Sequence, residues 1–119
     1  MSRGALLLIG GVLIVFLAVG GFLILRNQGG GGKPVVLNVT VSNANTMKPD
    51  HLVARQGDSV TINITSDRTG EVHLHGYDIH FETRAGEVAS QTFRASNSGD
   101  FEIEWESTST HLGDLAVNP

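Results

Sequence analysis

The sequence predicts an all-β sandwich carried on one amino-terminal transmembrane helix. Three observations predict it. Gly4 to Leu25, "GALLLIGGVLIVFLAVGGFLIL", is apolar and carries no charge. From Pro34 onward, apolar and polar residues alternate with period two, as in strands with one buried face, and "KPD", "QGD", "RTG", "AGE" and "NSGD" interrupt them as turn signals. No segment beyond Pro34 sustains a helical period.

Residues 1–26 read as the membrane anchor. At about 1.5 Å per residue, residues 4–25 make a helix of about 33 Å, enough to cross a hydrocarbon core of about 30 Å. A cleaved signal peptide has a shorter apolar region, and Ala18-Val19-Gly20 is a poor cleavage site because "GFLIL" continues the run. The anchor is therefore expected to remain, as a signal-anchor. The amino terminus and Arg3 balance Arg26 and Lys33, so charge alone does not choose its orientation. Residues 27–33, "NQGGGGK", read as a flexible linker, since four successive glycines have wide backbone freedom to lose on ordering. Such a linker spans about 15 Å.

Residues 34–119 are the expected sandwich. Val35, Leu37, Val39 and Val41 share one face of "PVVLNVTVSN". Val60, Ile62 and Ile64 alternate with threonine and asparagine in "SVTINITSD", and Phe101, Ile103 and Trp105 alternate with glutamates in "FEIEWE". These predict half-buried antiparallel strands. The candidate core comprises these residues with Leu52, Ile79, Phe81, Phe93, Leu115 and Val117. Asn38 and Asn63 match the glycosylation sequon, but both fall inside predicted strands, so the match is taken as chance.

Charge and composition exclude some functions. From Pro34 on, five Lys/Arg face twelve Asp/Glu, a balance of −7 that disfavours nucleic acid and anionic lipid as partners. The chain has no cysteine. That rules out cysteine lipidation and any thiolate-based site.

Several stretches resemble the cupredoxins in their order along the chain. "MKPDHLVARQGDSVTINITS" is similar to the family's proline-led strand, Gly-Asp turn and alternating strand. "EVHLHGYDI" resembles the segment of the first copper-ligand histidine. "AGEVASQTFRASNSGDFEIEW" resembles the strands leading to the ligand cysteine, and "HLGDLAVNP" the closing strand that begins at the axial methionine. The resemblance implies a cupredoxin-like Greek-key sandwich working outside the cytoplasm. It places the first histidine on His75 and the cysteine on Trp105. In the shortest ligand loops, the second histidine falls on Thr108 and the methionine on His111. A type 1 copper site needs a thiolate, so this chain is not expected to carry electrons as a blue copper protein.

"EVHLHGYDIHFE" holds three of the five histidines. His73 and His75 are two apart on a predicted strand, so they share a face with Cα atoms about 6.5 Å apart. Two imidazoles can converge on one ion. If the resemblance holds, His111 arrives at the same end, and the set suits Cu(II), Zn(II) or Ni(II). Trp105 then lies beside the site or simply in the core, and an inward tryptophan is most often core. Glu71 and Asp78 are alternative partners that hydrogen-bond the imidazoles without any ion. His80 shares parity with Asp78 and Glu82 and is expected to face solvent, and His51 is expected to be a lone surface residue. Ser107 to Thr110 lie near His111, but nothing marks a nucleophile, and no catalytic motif is present. The expectation is a non-enzymatic, membrane-anchored, extracytoplasmic binding or interaction module, its partner a neighbouring membrane or exported protein. The alternative is a copper- or zinc-binding chaperone or sensor using His75, His73 and His111.

Overall fold

The computed structural model describes residues 32–119. The expected anchor and all but the last two residues of the linker lie outside the described residues. Nine strands follow one another: β1 Pro34–Ser42, β2 Thr46–Lys48, β3 His51–Arg55, β4 Ser59–Ser66, β5 Gly70–Leu74, β6 Ile79–Thr83, β7 Val88–Arg94, β8 Gly99–Trp105 and β9 Thr110–Asn118, with a 3-10 turn at Glu106–Thr108 before the last. They form a four-stranded sheet in the order β2-β1-β4-β7 and a five-stranded sheet in the order β3-β9-β8-β5-β6.

The alternating residues form the core as their pattern requires. Val39, Val41, Val60, Ile62 and Ile64 point inward from the first sheet. Leu52, Val72, Leu74, Phe81, Ile103, Trp105, Leu115 and Val117 meet them from the second. Ile79, Phe93 and Phe101 pack at the margin of this cluster. Each fully buried aliphatic or aromatic side chain contributes about 1.5–3 kcal/mol.

One expectation is corrected. The strands are not all antiparallel: β1 runs parallel to β4, with Pro34 beside Ser59 and Val41 beside Ser66, and β3 runs parallel to β9. Period-two alternation reports which face is buried, and it is the same for both directions. Direction follows from the connections. After the β1–β2 hairpin the chain crosses to the other sheet as β3 and returns as β4, which gives a parallel neighbour for β1.

Register defines the two ends of the sandwich. At one end lie Pro34, Ser59 and Arg94, which are level across three strands. The chain reaches this end already held. The Asp58 carboxylate, 5% exposed, accepts the backbone N–H of Lys33 at 3.0 Å and that of Arg55 at 2.9 Å. The β5–β6 turn closes the same end. The Tyr77 hydroxyl donates to the Asn97 carbonyl and accepts the Asn97 N–H at 3.1 Å, while its ring lies edge-on to Phe101 and tilted against Phe93.

Candidate metal centre

The β5–β6 hairpin builds the site. With Val72, Leu74 and Phe81 committed to the interior, the intervening Glu71, His73, His80 and Glu82 must emerge on the outer face of the five-stranded sheet. Register sets His73 directly beside His80 on β6 and beside Glu104 on β8. The turn between them is tight. Gly76 has φ +85°, and a Cβ there would stand 2.2 Å from the Phe101 ring, so only glycine fits. Asp78 is also left-handed, at φ 55°, a conformation its short side chain tolerates. The result brings His75 back over His73 and aims Asp78 at both strands.

Among the described residues, two groups have ligand atoms close enough to share an ion: His73, His75 and Glu104, and His73, Asp78 and His80. The His73 ring lies 4.3 Å from that of His75 and stacks nearly parallel on that of His80, also at 4.3 Å. His73 Nε2 is 3.0 Å from Asp78 Oδ1, and its Nδ1 is 3.4 Å from Glu106 Oε1. His80 has Glu71 at Nδ1 and Asp78 at Nε2, 3.2 Å away. A carboxylate accepts only, so His80 can satisfy both partners only as an imidazolium. Partial burial pulls its pKa down, but hydrogen bonds and charge from Glu71 and then Asp78 outweigh this and hold it above the ordinary value. Hydrogen bonds from His73 and His80 depress the Asp78 carboxyl in turn.

His75 is the exception in this network. Its Nε2 lies 3.3 Å from Glu104 Oε1, within ion-pair range but not aligned as a hydrogen bond. That nitrogen is closed off from solvent and has no hydrogen-bond partner. A buried polar atom left in this way is uncommon and calls for an explanation. A metal ion between two imidazoles and a carboxylate would satisfy it, and this donor set suits Zn(II) or Cu(II).

The structure therefore brings together His73 and His75, the pair that parity had marked. His111 is in neither group. It stands one strand beyond Glu104 in register, exposed, with Nδ1 2.9 Å from Glu102 Oε2. Trp105 faces the opposite way. It is 4% exposed, fills the interior, and leaves no room for a Cβ on Gly70, which would come 2.1 Å from its ring. One cluster of His75, Trp105 and His111 is thus not the arrangement found, because the sheet separates the tryptophan from the two histidines. Glu104, Asp78 and His80 were not among the expected ligands. His80 does face solvent as its parity required, but on the same face as His73. The signal lay in "HLHGYDIH", where His73 and His80 stand equally far from the turn and so become cross-strand partners. Glu104 carried no such signal, because the β5–β8 pairing joins residues distant in sequence.

The fold is cupredoxin-like. Among solved structures, a copper-binding protein determined by NMR in its apo form superposes with a TM-score of 0.60 at 15% identity, over 75% of this chain and 99% of that one. A chain of a heme-copper terminal oxidase dimer matches with a TM-score of 0.59 at 13% identity, over 89% of this chain and 93% of its own. Auracyanin A, a blue copper protein of Chloroflexus aurantiacus, matches with a TM-score of 0.54 at 15% identity, over 71% and 99%. At these identities the likeness is one of fold. No protein-family model and no curated protein matches the chain. The residues do not fit the type 1 copper centre of that fold, since the chain has no cysteine and the buried Trp105 stands where the resemblance places one.

Proposed function

We propose that this chain is a metal-binding protein that holds Cu(II) or Zn(II) on the outer face of its five-stranded sheet through His73, His75 and Glu104. The observation that carries the reading is the buried, unpartnered His75 Nε2 set beside Glu104 and His73. The protein binds and delivers or senses its ion, without catalysis and without electron transfer of the blue-copper kind. Residues 4–25 hold it in the membrane as a single span, with the domain outside the cytoplasm. Titration of the full chain in detergent with Cu(II) and with Zn(II) tests the site. Sub-micromolar binding is expected, reduced at least about tenfold in His75→Ala, since disturbing even the outer-shell partners of a metal ligand has effects of that size. Binding unchanged in His75→Ala would end the reading. A reporter fused to the carboxyl terminus, active only outside the cytoplasm, tests the topology, and an inactive fusion contradicts it.

A second reading, an interaction module docking on a neighbouring membrane or exported protein, is favoured by one observation. The matching chain of the heme-copper terminal oxidase dimer, itself part of an assembly, is covered over 93% of its own length. Cross-linking in native membranes checks it. A discrete adduct that persists in His75→Ala supports docking independent of metal, and the absence of any adduct counts against it.

A further inference from the structure

The two metal-ligating groups overlap at a single residue. His73 belongs to both, with His75 and Glu104 toward the middle of the five-stranded sheet and with Asp78 and His80 at its β6 edge. Its ring lies between the other two imidazoles at equal distances. The groups differ in access. Asp78 is 84% exposed on the hairpin turn, and His80 sits on the edge strand. Glu104 is 14% exposed; the His75 side chain is 42% exposed, as open as His80 at 44%, but its Nε2 is shut off from water. Both groups need the His73 imidazole, which when neutral offers a single lone pair and so binds one ion at a time. The groups are therefore alternatives for one ion, an outer and an inner.

Resting on the metal-binding reading above, we infer that the edge group is a loading position, from which one divalent transition-metal ion passes to the inner group by ligand exchange around His73. The ion is first held by Asp78, His80 and His73, the proton that the His80 imidazolium carries at Nε2 leaving to solvent and returning from it when the ion moves on. Bonds to His75 Nε2 and the Glu104 carboxylate form as those to His80 and Asp78 break, and His73 stays bound throughout. Ligand count and oxidation state are unchanged. His75 Nε2 suits the receiving role because it has no hydrogen bond to surrender. Asp78 suits the loading role because it is 84% exposed, against 14% for Glu104.

Trp105 supplies the readout. It is the chain's one tryptophan, it follows Glu104 directly, and it pairs with Val72 beside His73. Cu(II) in the inner group should quench its fluorescence. The experiment mixes the full chain in detergent with Cu(II) by stopped flow and measures stoichiometry at equilibrium. Expected are one equivalent of Cu(II) bound, and in His80→Ala and Asp78→Asn the same final quenching reached several-fold more slowly. His75→Ala should lose most of the quenching amplitude yet retain rapid, weaker binding visible by Cu(II) EPR. Two equivalents bound by the unaltered chain, an unchanged onset in either edge variant, or an equilibrium loss in His80→Ala as large as in His75→Ala would each overturn the transfer. If the unaltered chain binds no Cu(II), the metal-binding reading itself fails, and this inference fails with it.

Discussion

His51 shows how a surface imidazole is tuned by what lies across the strand. Its Nδ1 is 3.0 Å from Asp114 Oδ1, and that hydrogen bond, followed by the Asp114 charge, raises its pKa above the ordinary value. A histidine raised in the folded state adds stability that is fully present below its unfolded value of about 6.5 and fades as pH climbs through the folded value. The urea midpoint of the unaltered chain should therefore exceed that of His51→Gln near pH 5.5, and the gap should close toward pH 8.5, both pH values being approximate choices around that range. Because the site is exposed, added salt should shrink the gap. The same logic applies at His80. Removing the Asp78 charge in Asp78→Asn should move the His80 midpoint down, as followed by NMR of the ring protons, because Asp78 is one of the two carboxylates holding it up. At this scale the sequence revealed His73 and His75 through parity alone. It hid Glu104, whose outward direction was legible in "FEIEWE" but whose neighbour on β5 was not.

Elements carry their own constraints, and two of them fix the site. The β5–β6 turn depends on Gly76, where the backbone angle and the Phe101 ring both exclude a side chain. Gly76→Ala should destabilise the fold by about 1–3 kcal/mol, the usual penalty for overpacking. It should also weaken metal binding, since His75 is the adjacent residue. Urea unfolding measures the first effect, and a Zn(II) competition assay the second. At the β3–β4 turn, Asp58 satisfies the N–H groups of Lys33 and Arg55. Asp58→Ala leaves both without that acceptor and should lose about 1–3 kcal/mol, with faster hydrogen exchange at the Lys33 amide as the local signature. Strand positions were legible because one face is buried along each of them. The parallel pairing of β1 with β4 and of β3 with β9 was not, since it depends on how the connections cross between sheets.

On the scale of the whole molecule, the five histidines share one sheet. Each stands on the five-stranded sheet or on its β5–β6 turn, and each has a carboxylate oxygen within 3.3 Å. The four-stranded sheet instead shows a neutral polar ladder outward, in which Asn63 donates to Asn38 and accepts from Ser90, beside a Thr61–Thr92 hydroxyl pair. The sandwich is thus chemically two-faced, although hydropathy treats the outward residues of both sheets alike. Binding linkage gives a test at this scale. Zn(II) at a hundredfold excess over its dissociation constant should raise unfolding free energy by about 2.7 kcal/mol, and His75→Ala should lose most of that gain. Cu(II)-loaded protein should show no intense blue band, because no thiolate is present to produce one.

The grip of Asp58 on Lys33 has a geometric consequence. It pins the start of the domain to the pole that also bears the Gly76 and Tyr77 bend, with His75 at its shoulder. The described chain therefore enters the sandwich at the end where the β5–β6 hairpin turns, and away from the end that bears the 3-10 turn Glu106–Thr108.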